Sequence, residues 1–345
     1  MRQRPSPRSG KARAAEPSRA QGDGPVSAAL KGMRRWGLLL VLLVLALGFG
    51  LADAGFGTLE NLRTIADRCA VPLVLAVGMT FVIRQGSIDL SVEGLMAVSS
   101  LTFALTVANS RTPLDFGFVG LLAAAAVGGV FGLLNGLVVT RLRVPSFMAT
   151  LGVGSMGFGL AMLLSGDQPP LIRDQALRQW ALGHTGGVPN LALAAAACLI
   201  GGLLLQNHTR FGRYNYVIGG AEDMARLSGL NVDLYKVLVF AFAGLLAGLA
   251  GGMESARLGL GHVDTGAGQM FAAITAVVIG GTPLSGGRGS VWRSAVGVLM
   301  LAVLANGMVF IGVTPYLQKA VQGAIVLIAV VAATWHVRGR LRIVP

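Results

Sequence analysis

Ten stretches without a single Asp, Glu, Lys or Arg follow one another along this chain, at residues 36–52, 69–83, 94–110, 116–140, 144–166, 179–209, 237–253, 265–287, 294–318 and 320–337. A helix needs about 20 mostly apolar residues to cross the hydrocarbon core of a bilayer, and most of these runs approach or exceed that length. With 54% hydrophobic and 12% charged residues, the chain has too few charges to cover soluble domains, which carry roughly a quarter. Inside lipid, backbone groups find no water, so a spanning segment satisfies them internally as a helix. The expectation is an all-α, polytopic transmembrane helix bundle of about ten spans, covering 36–337. The 69–83 run is short and needs its flanks, and the last two runs are parted by Lys319, with the turn signal GVTP at 312–315.

The basic residues give the orientation. Residues 1–35 hold nine Lys and Arg among Pro, Ser, Gly and Ala, which reads as a disordered basic tail before an uncleaved first span anchored by Arg34 and Arg35. With the N-terminus inside, 21 of the 28 Lys and Arg fall on the same side. Both termini, including the tail 338–345, and the long polar interval 211–236 are therefore expected in the cytoplasm. A net charge of +13 would suggest nucleic acid in a soluble chain; here the charges sit between apolar runs and set topology, so the bilayer is the partner and nucleic acid is not.

Glycines at 128, 132 and 136, and at 244, 248 and 252, recur at four-residue steps and place a small-residue face on each of two spans, for close helix packing. GVGSMG at 152–157 matches a dinucleotide fingerprint but lies inside a spanning run, where it also reads as packing. No GxxxxGK[ST] sequence occurs, so the chain has no P-loop for ATP. Two scattered cysteines and four distant histidines support neither a disulfide framework nor a metal site. No nucleophile–base constellation points to an enzyme.

The interval 211–236 combines Gly219, Gly220, Glu222, Asp223, Arg226 and Gly229. It reads either as a solvated loop or as a short helix, Glu222 to Leu227, bounded by glycines and able to dock in a partner's groove. Ionisable residues within spans are costly and mark candidates for function. Asp89 and Glu93 stand four apart at the start of the third span, near Ser91, as a proton-relay pair or as a motif that anchors the span. Glu254 and Arg257 are expected to pair. Asn135, Gln269, Asn306 and Gln322 offer donors and acceptors to sugar hydroxyls, or tie helices together. The remaining charges lie towards span ends, which suits a neutral solute.

Four stretches in order, GMTFVIRQGSIDLSV at 78–92, NGLVVTRLRVPSFMATLG at 135–152, VIGGAEDMARLSGLNV at 217–232 and ITAVVIGGTPLSGGRGS at 274–290, resemble the sugar-type ABC importer permeases of the ribose, xylose and galactose group. The chain departs from the family pattern at Ser87, at Glu93, and at Ala221 in place of the usual asparagine. The resemblance implies a permease of the bacterial inner membrane, working as two copies or beside a similar second permease. It implies a cytoplasmic ATPase subunit that binds ATP and Mg, so that this chain needs no cofactor, and an extracytoplasmic solute-binding protein. Gly219, Gly220, Glu222, Asp223, Arg226 and Gly229 would form the loop that couples to the ATPase. A monosaccharide is the expected cargo, with nucleosides as an alternative. The rival class is an ion-gradient-driven secondary transporter using Asp89 and Glu93.

Overall fold

The computed structural model describes residues 25–334. The chain divides into two units, residues 1–37 and 38–345, and the site described below belongs to the second. In chain order the helices are α1 (Pro25–Ala52), α2 (Leu59–Arg84), α3 (Val92–Thr106), α4 (Val119–Arg141), α5 (Ser146–Ser165), α6 (Gln175–Leu182), α7 (Asn190–His208), α8 (Arg210–Gly220), α9 (Glu222–Leu227), α10 (Val232–Leu258), α11 (Gln269–Ile279), α12 (Val291–Phe310) and α13 (Pro315–Thr334). The strands β1 (His184–Thr185) and β2 (Val188–Pro189) form one antiparallel hairpin between α6 and α7. Six helices, α2, α4, α5, α7, α10 and α12, are long and apolar enough to cross a membrane, and shorter apolar helices occupy 37–52, 92–106 and 263–279. The chain is an all-α, polytopic membrane protein.

Local chemistry sets several helix ends. Thr58 Oγ1 accepts from Asn61 N at the start of α2, and Asn231 Oδ1 accepts from Leu234 N at the start of α10, satisfying amides that have no partner within the helix. The core gathers on α2, α3 and α10, where Phe81, Leu95, Phe103, Phe240 and Met253 are fully buried. The two glycine stripes meet: a Cβ at Gly128, Gly132 or Gly244 would strike the backbone of the opposite helix, so α4 and α10 touch main chain to main chain as the four-residue spacing predicts. Gly252 is the exception and faces the side chains of Leu121 and Ala124. In GVGSMG, Gly154 and Gly157 pack α5 on the backbone of Ser91 and Gly94, while Gly152 is open. By contrast α7 exposes Leu193, Ile200 and Leu204, an outward apolar face suited to lipid.

Two segments follow one plan. The 26-residue α2 is followed by a non-helical break, 85–91, and the 15-residue α3; the 27-residue α10 is followed by a break in α-helix, 259–268, which holds one short 3-10 turn, Val263–Gly266, and then by the 11-residue α11. Such breaks leave backbone groups that need other partners. In the second, Ser100 Oγ lies 2.9 Å from Thr265 Oγ1 and accepts from His262 N. At the end of the bundle away from α9, Ile172 N donates to Gly259 O and Arg173 N to Ala108 O, knitting the connections after α3, α5 and α10 together.

Three expectations change here. The 179–209 run is not one span: α6 ends at Leu182, the hairpin intervenes, and α7 starts at Asn190, because Gly186 and Gly187 take positive φ and Pro189 opens the new helix. Of the 265–287 run only Gln269–Ile279 is α-helical. The tail expected over 1–35 overlaps α1, which begins at Pro25; residues 1–24 and the tail 338–345 lie outside the described residues.

Candidate functional site: the knot at the α9 end

The break 85–91 is where the four sequence stretches converge. Asp89 is buried, and its Oδ1 accepts from Ser91 N at 2.8 Å and from Ser91 Oγ. Ser91 Oγ in turn accepts from Asn135 Nδ2 on α4 at 2.8 Å. Ile88 N donates to Ser146 Oγ at 3.0 Å, and Leu90 N to Thr150 Oγ1 at 2.9 Å. Side chains of α4 and α5 thus supply the partners that the broken helix lacks. Asp89 and Ser91 hold each other at the start of α3, and Ser91 makes no side-chain cap hydrogen bond to the helix. Glu93 turns elsewhere, with Oε1 accepting from Gly268 N at 3.0 Å, so the two carboxylates hold different partners and are not joined in a relay by any hydrogen bond among the described residues.

The coupling candidate packs beneath this break. The expected helix Glu222–Leu227 is present as α9, and before it lies α8, unanticipated from the residue pattern, whose last two residues are Gly219 and Gly220. Asn215 Nδ2 donates to Phe81 O at 2.9 Å, and Arg84 Nη2 to Gly212 O at 3.2 Å. Gly287 N donates to Arg84 O at 2.9 Å, and a Cβ on Gly219 would be driven into that carbonyl. So α8, the end of α2 and the loop 280–290 share one backbone contact. Phe81, Phe211 and Phe242 pack ring to ring at 5.4 to 6.0 Å, giving the knot an apolar floor joined to α10. Arg84 is buried under Tyr216, with no protein partner for its Nε and Nη1.

Charge ties α9 to the foot of α10. Arg226 pairs with Glu222 at 3.0 Å and with Asp233, and Lys236 Nζ reaches Glu222 at 2.6 Å. Burial opposes the charged form of Glu222, but the hydrogen bonds and charges of Lys236 and Arg226 outweigh it and hold the carboxyl below its usual range. Between α9, α10, the end of α4 and Ser87 lies a cavity of about 560 Å³, lined by Thr140, Arg143, Ser146, Glu222 and Lys236 among others. Ala225 is buried inward, while Met224, Leu227 and Asp223 are exposed. Apolar side chains on an exposed, polar-flanked helix suit a partner's groove. Gly229 ends the element with φ +82.

The amide candidates do not come together. Asn135 is buried in the knot. Asn306 is buried and donates to Asn61 Oδ1 at 2.7 Å, tying α12 to α2. Gln269 opens α11, with a buried Oε1 that has no partner, and Gln322 is exposed on α13. Glu254 pairs with Arg257 at 2.7 Å as expected, and Arg257 also reaches Asp67. Sequence reasoning missed Arg84 and Lys236; each is a charge at the rim of an apolar run, and that position was the available signal.

Comparison with known proteins places the sequence in a family. The family described as branched-chain amino acid transport system / permease component matches residues 61–330. The ribose import permease protein RbsC of Escherichia coli K12 is 36% identical over 296 residues, covering 85% of this chain and 91% of its own. The L-arabinose transport system permease protein AraH of the same strain is 32% identical over 299 residues, covering 86% and 89%. RbsC of Bacillus subtilis is 33% identical over 300 residues, covering 86% and 92%. No solved structure matches. Matched by the family over residues 61–330 and at 32–36% identity to these permeases over 85–86% of its length, the chain belongs to this family of ABC importer permease components.

Proposed function

We propose that the chain is the membrane-spanning subunit of an ABC importer that carries a monosaccharide across the cytoplasmic membrane. The observation that carries this reading is similarity to ribose and arabinose permeases, at 30–36% identity over 85–86% of the chain. The family description names branched-chain amino acids, but the most similar relatives that name a solute name pentoses. The ten apolar segments serve as about ten spans with both termini in the cytoplasm, which puts α8, α9 and the loop 280–290 there too.

Two copies, or this chain and a similar second permease, stand on a pair of cytoplasmic ATPase subunits that bind ATP and Mg, and a solute-binding protein delivers the sugar from outside. The permease supplies a path and two conformations, and the ATPases supply the free energy. Met224 and Leu227 enter the ATPase groove. Displacement of α9 passes through Gly219 and Arg84 to the break at 85–91, and through the Glu222–Lys236 pair to α10. Gly219, Gly220, Glu222, Asp223, Arg226 and Gly229 form this coupling element.

The test is uptake by the assembled transporter, with competition by a panel of sugars, nucleosides and amino acids. Uptake should require the ATPase, persist when the membrane potential is collapsed, and be competed best by a pentose. Best competition by a branched-chain amino acid, or dependence on an ion gradient, would overturn the reading.

A further inference from the structure

The two helix breaks meet at Glu93. At 1.5 Å per residue, the 15 residues of α3 extend about 22 Å and the 11 of α11 about 16 Å. Against a hydrocarbon core of about 30 Å, the first turn of each helix lies well inside the membrane and its break covers the remainder. Glu93 is in the first turn of α3, and its Oε1 accepts from Gly268 N, the residue that opens α11 without a side-chain cap of its own. The chains are in close contact there: a Cβ on Gly266 would lie 2.9 Å from Glu93 Cα. Yet the junction is not sealed. Ala267 and Gly268 are exposed and Glu93 is partly exposed. None of the ion pairs among the described residues includes Glu93.

Exposed backbone outside regular α-helix, as at Ala267 and Gly268, and a carboxylate at that depth cannot face hydrocarbon; such groups persist only inside protein or along a water-filled path. The sequence placed Glu93 at the end of a span, and the shortness of α3 moves it inward. We infer that Glu93 is a solute-contacting residue of the translocation path, accepting hydrogen bonds from the hydroxyls of a passing polyol where the two breaks meet. A carboxylate has two acceptor oxygens, and Gly268 N occupies only one lone-pair site of Oε1, so Glu93 can accept from adjacent hydroxyl donors. The polyol assignment rests on the sugar reading above; the placement in the path does not.

The experiment has two arms, both on the full chain in membranes. With Cys69 and Cys198 changed to alanine, Glu93→Cys is exposed to a small hydrophilic methanethiosulfonate and compared with Leu95→Cys, a fully buried neighbour. Glu93→Cys is expected to label and Leu95→Cys to stay unlabelled; equal labelling, or none at 93, overturns the placement. In the second arm, the transporter assembled with its ATPase and binding protein takes up ribose and deoxyribose. Glu93→Ala should shrink the preference for ribose by about tenfold, the loss of roughly one hydrogen bond to a charged group, while Glu93→Gln keeps most of it. A purely structural role would slow both solutes alike and would overturn the contact. Failure of the unaltered assembly to carry any sugar, with Glu93→Cys still labelled, overturns the sugar reading and the polyol assignment and supports the placement.

Discussion

Gly219 and Gly220 are neighbours in sequence, and the structure separates them sharply. A Cβ at Gly219 would lie 2.7 Å from Gly287 N and nearer still to the Arg84 carbonyl oxygen, whereas a Cβ at Gly220 would meet nothing within 4 Å. Gly219→Ala must therefore push α8 away from the end of α2 and stretch the 2.9 Å hydrogen bond from Gly287 N to Arg84 O. Overpacking of this kind costs about 1–3 kcal/mol, and a weakened backbone hydrogen bond adds about 1 kcal/mol. Higher helix propensity returns up to about 1 kcal/mol. The net is a loss of about 1–3 kcal/mol for Gly219→Ala and none, or a slight gain, for Gly220→Ala. The measurement is thermal unfolding of the two variants in nanodiscs, paired with uptake per ATP hydrolysed in the assembled transporter. Gly219→Ala should unfold earlier and transport less per ATP. If the two alanines behave alike in both measurements, the contact between α8, α2 and loop 280–290 is not what holds the coupling element.

Gly229→Val should lower coupling without preventing insertion, because φ +82 strains a β-branched residue although a Cβ there meets nothing within 4 Å; unchanged uptake per ATP would contradict this. The lowered pKa of Glu222 makes its ion pairs stabilising above the ordinary glutamate value of about 4.3, with the contribution lost as pH falls through the folded value. Because Glu222 is 37% exposed, that contribution is at most about 1 kcal/mol. The protection factors of α9 amides, corrected for the intrinsic pH dependence of exchange, should fall on acidification in the unaltered chain, and Lys236→Met should shift the onset towards neutral pH. For topology, single cysteines replacing Asp167 and Asp223, both exposed, in a chain with Cys69 and Cys198 removed, should react with an impermeant reagent from opposite sides. Labelling of both from outside would refute the ten-span arrangement.

Much of this protein was legible in the sequence because lipid restricts the backbone so severely. A long charge-free run has one solution, a helix, so the all-α class and most helix positions followed from charge spacing. The stripes at Gly128 to Gly136 and Gly244 to Gly252 announced close packing by period alone. The short helix Glu222–Leu227 was readable from its flanking glycines, and the Glu254–Arg257 pair from its spacing.

What periodicity could not contain was where helices stop inside an uncharged run. The hairpin within 179–209 is such a stop, and between runs the breaks at 85–91 and 259–268 depend on partners distant in the chain: Ser146 and Thr150 for one, Ser100 for the other. The sequence could show that Asn306 and Asn135 were polar groups among apolar ones. Only the tertiary structure decided that Asn306 meets Asn61 across 245 residues and that Asn135 meets Ser91. Hydrophobic spacing is a one-dimensional consequence of the solvent, but the satisfaction of a broken backbone is a three-dimensional one, settled by whichever donor or acceptor the packing brings within about 3 Å.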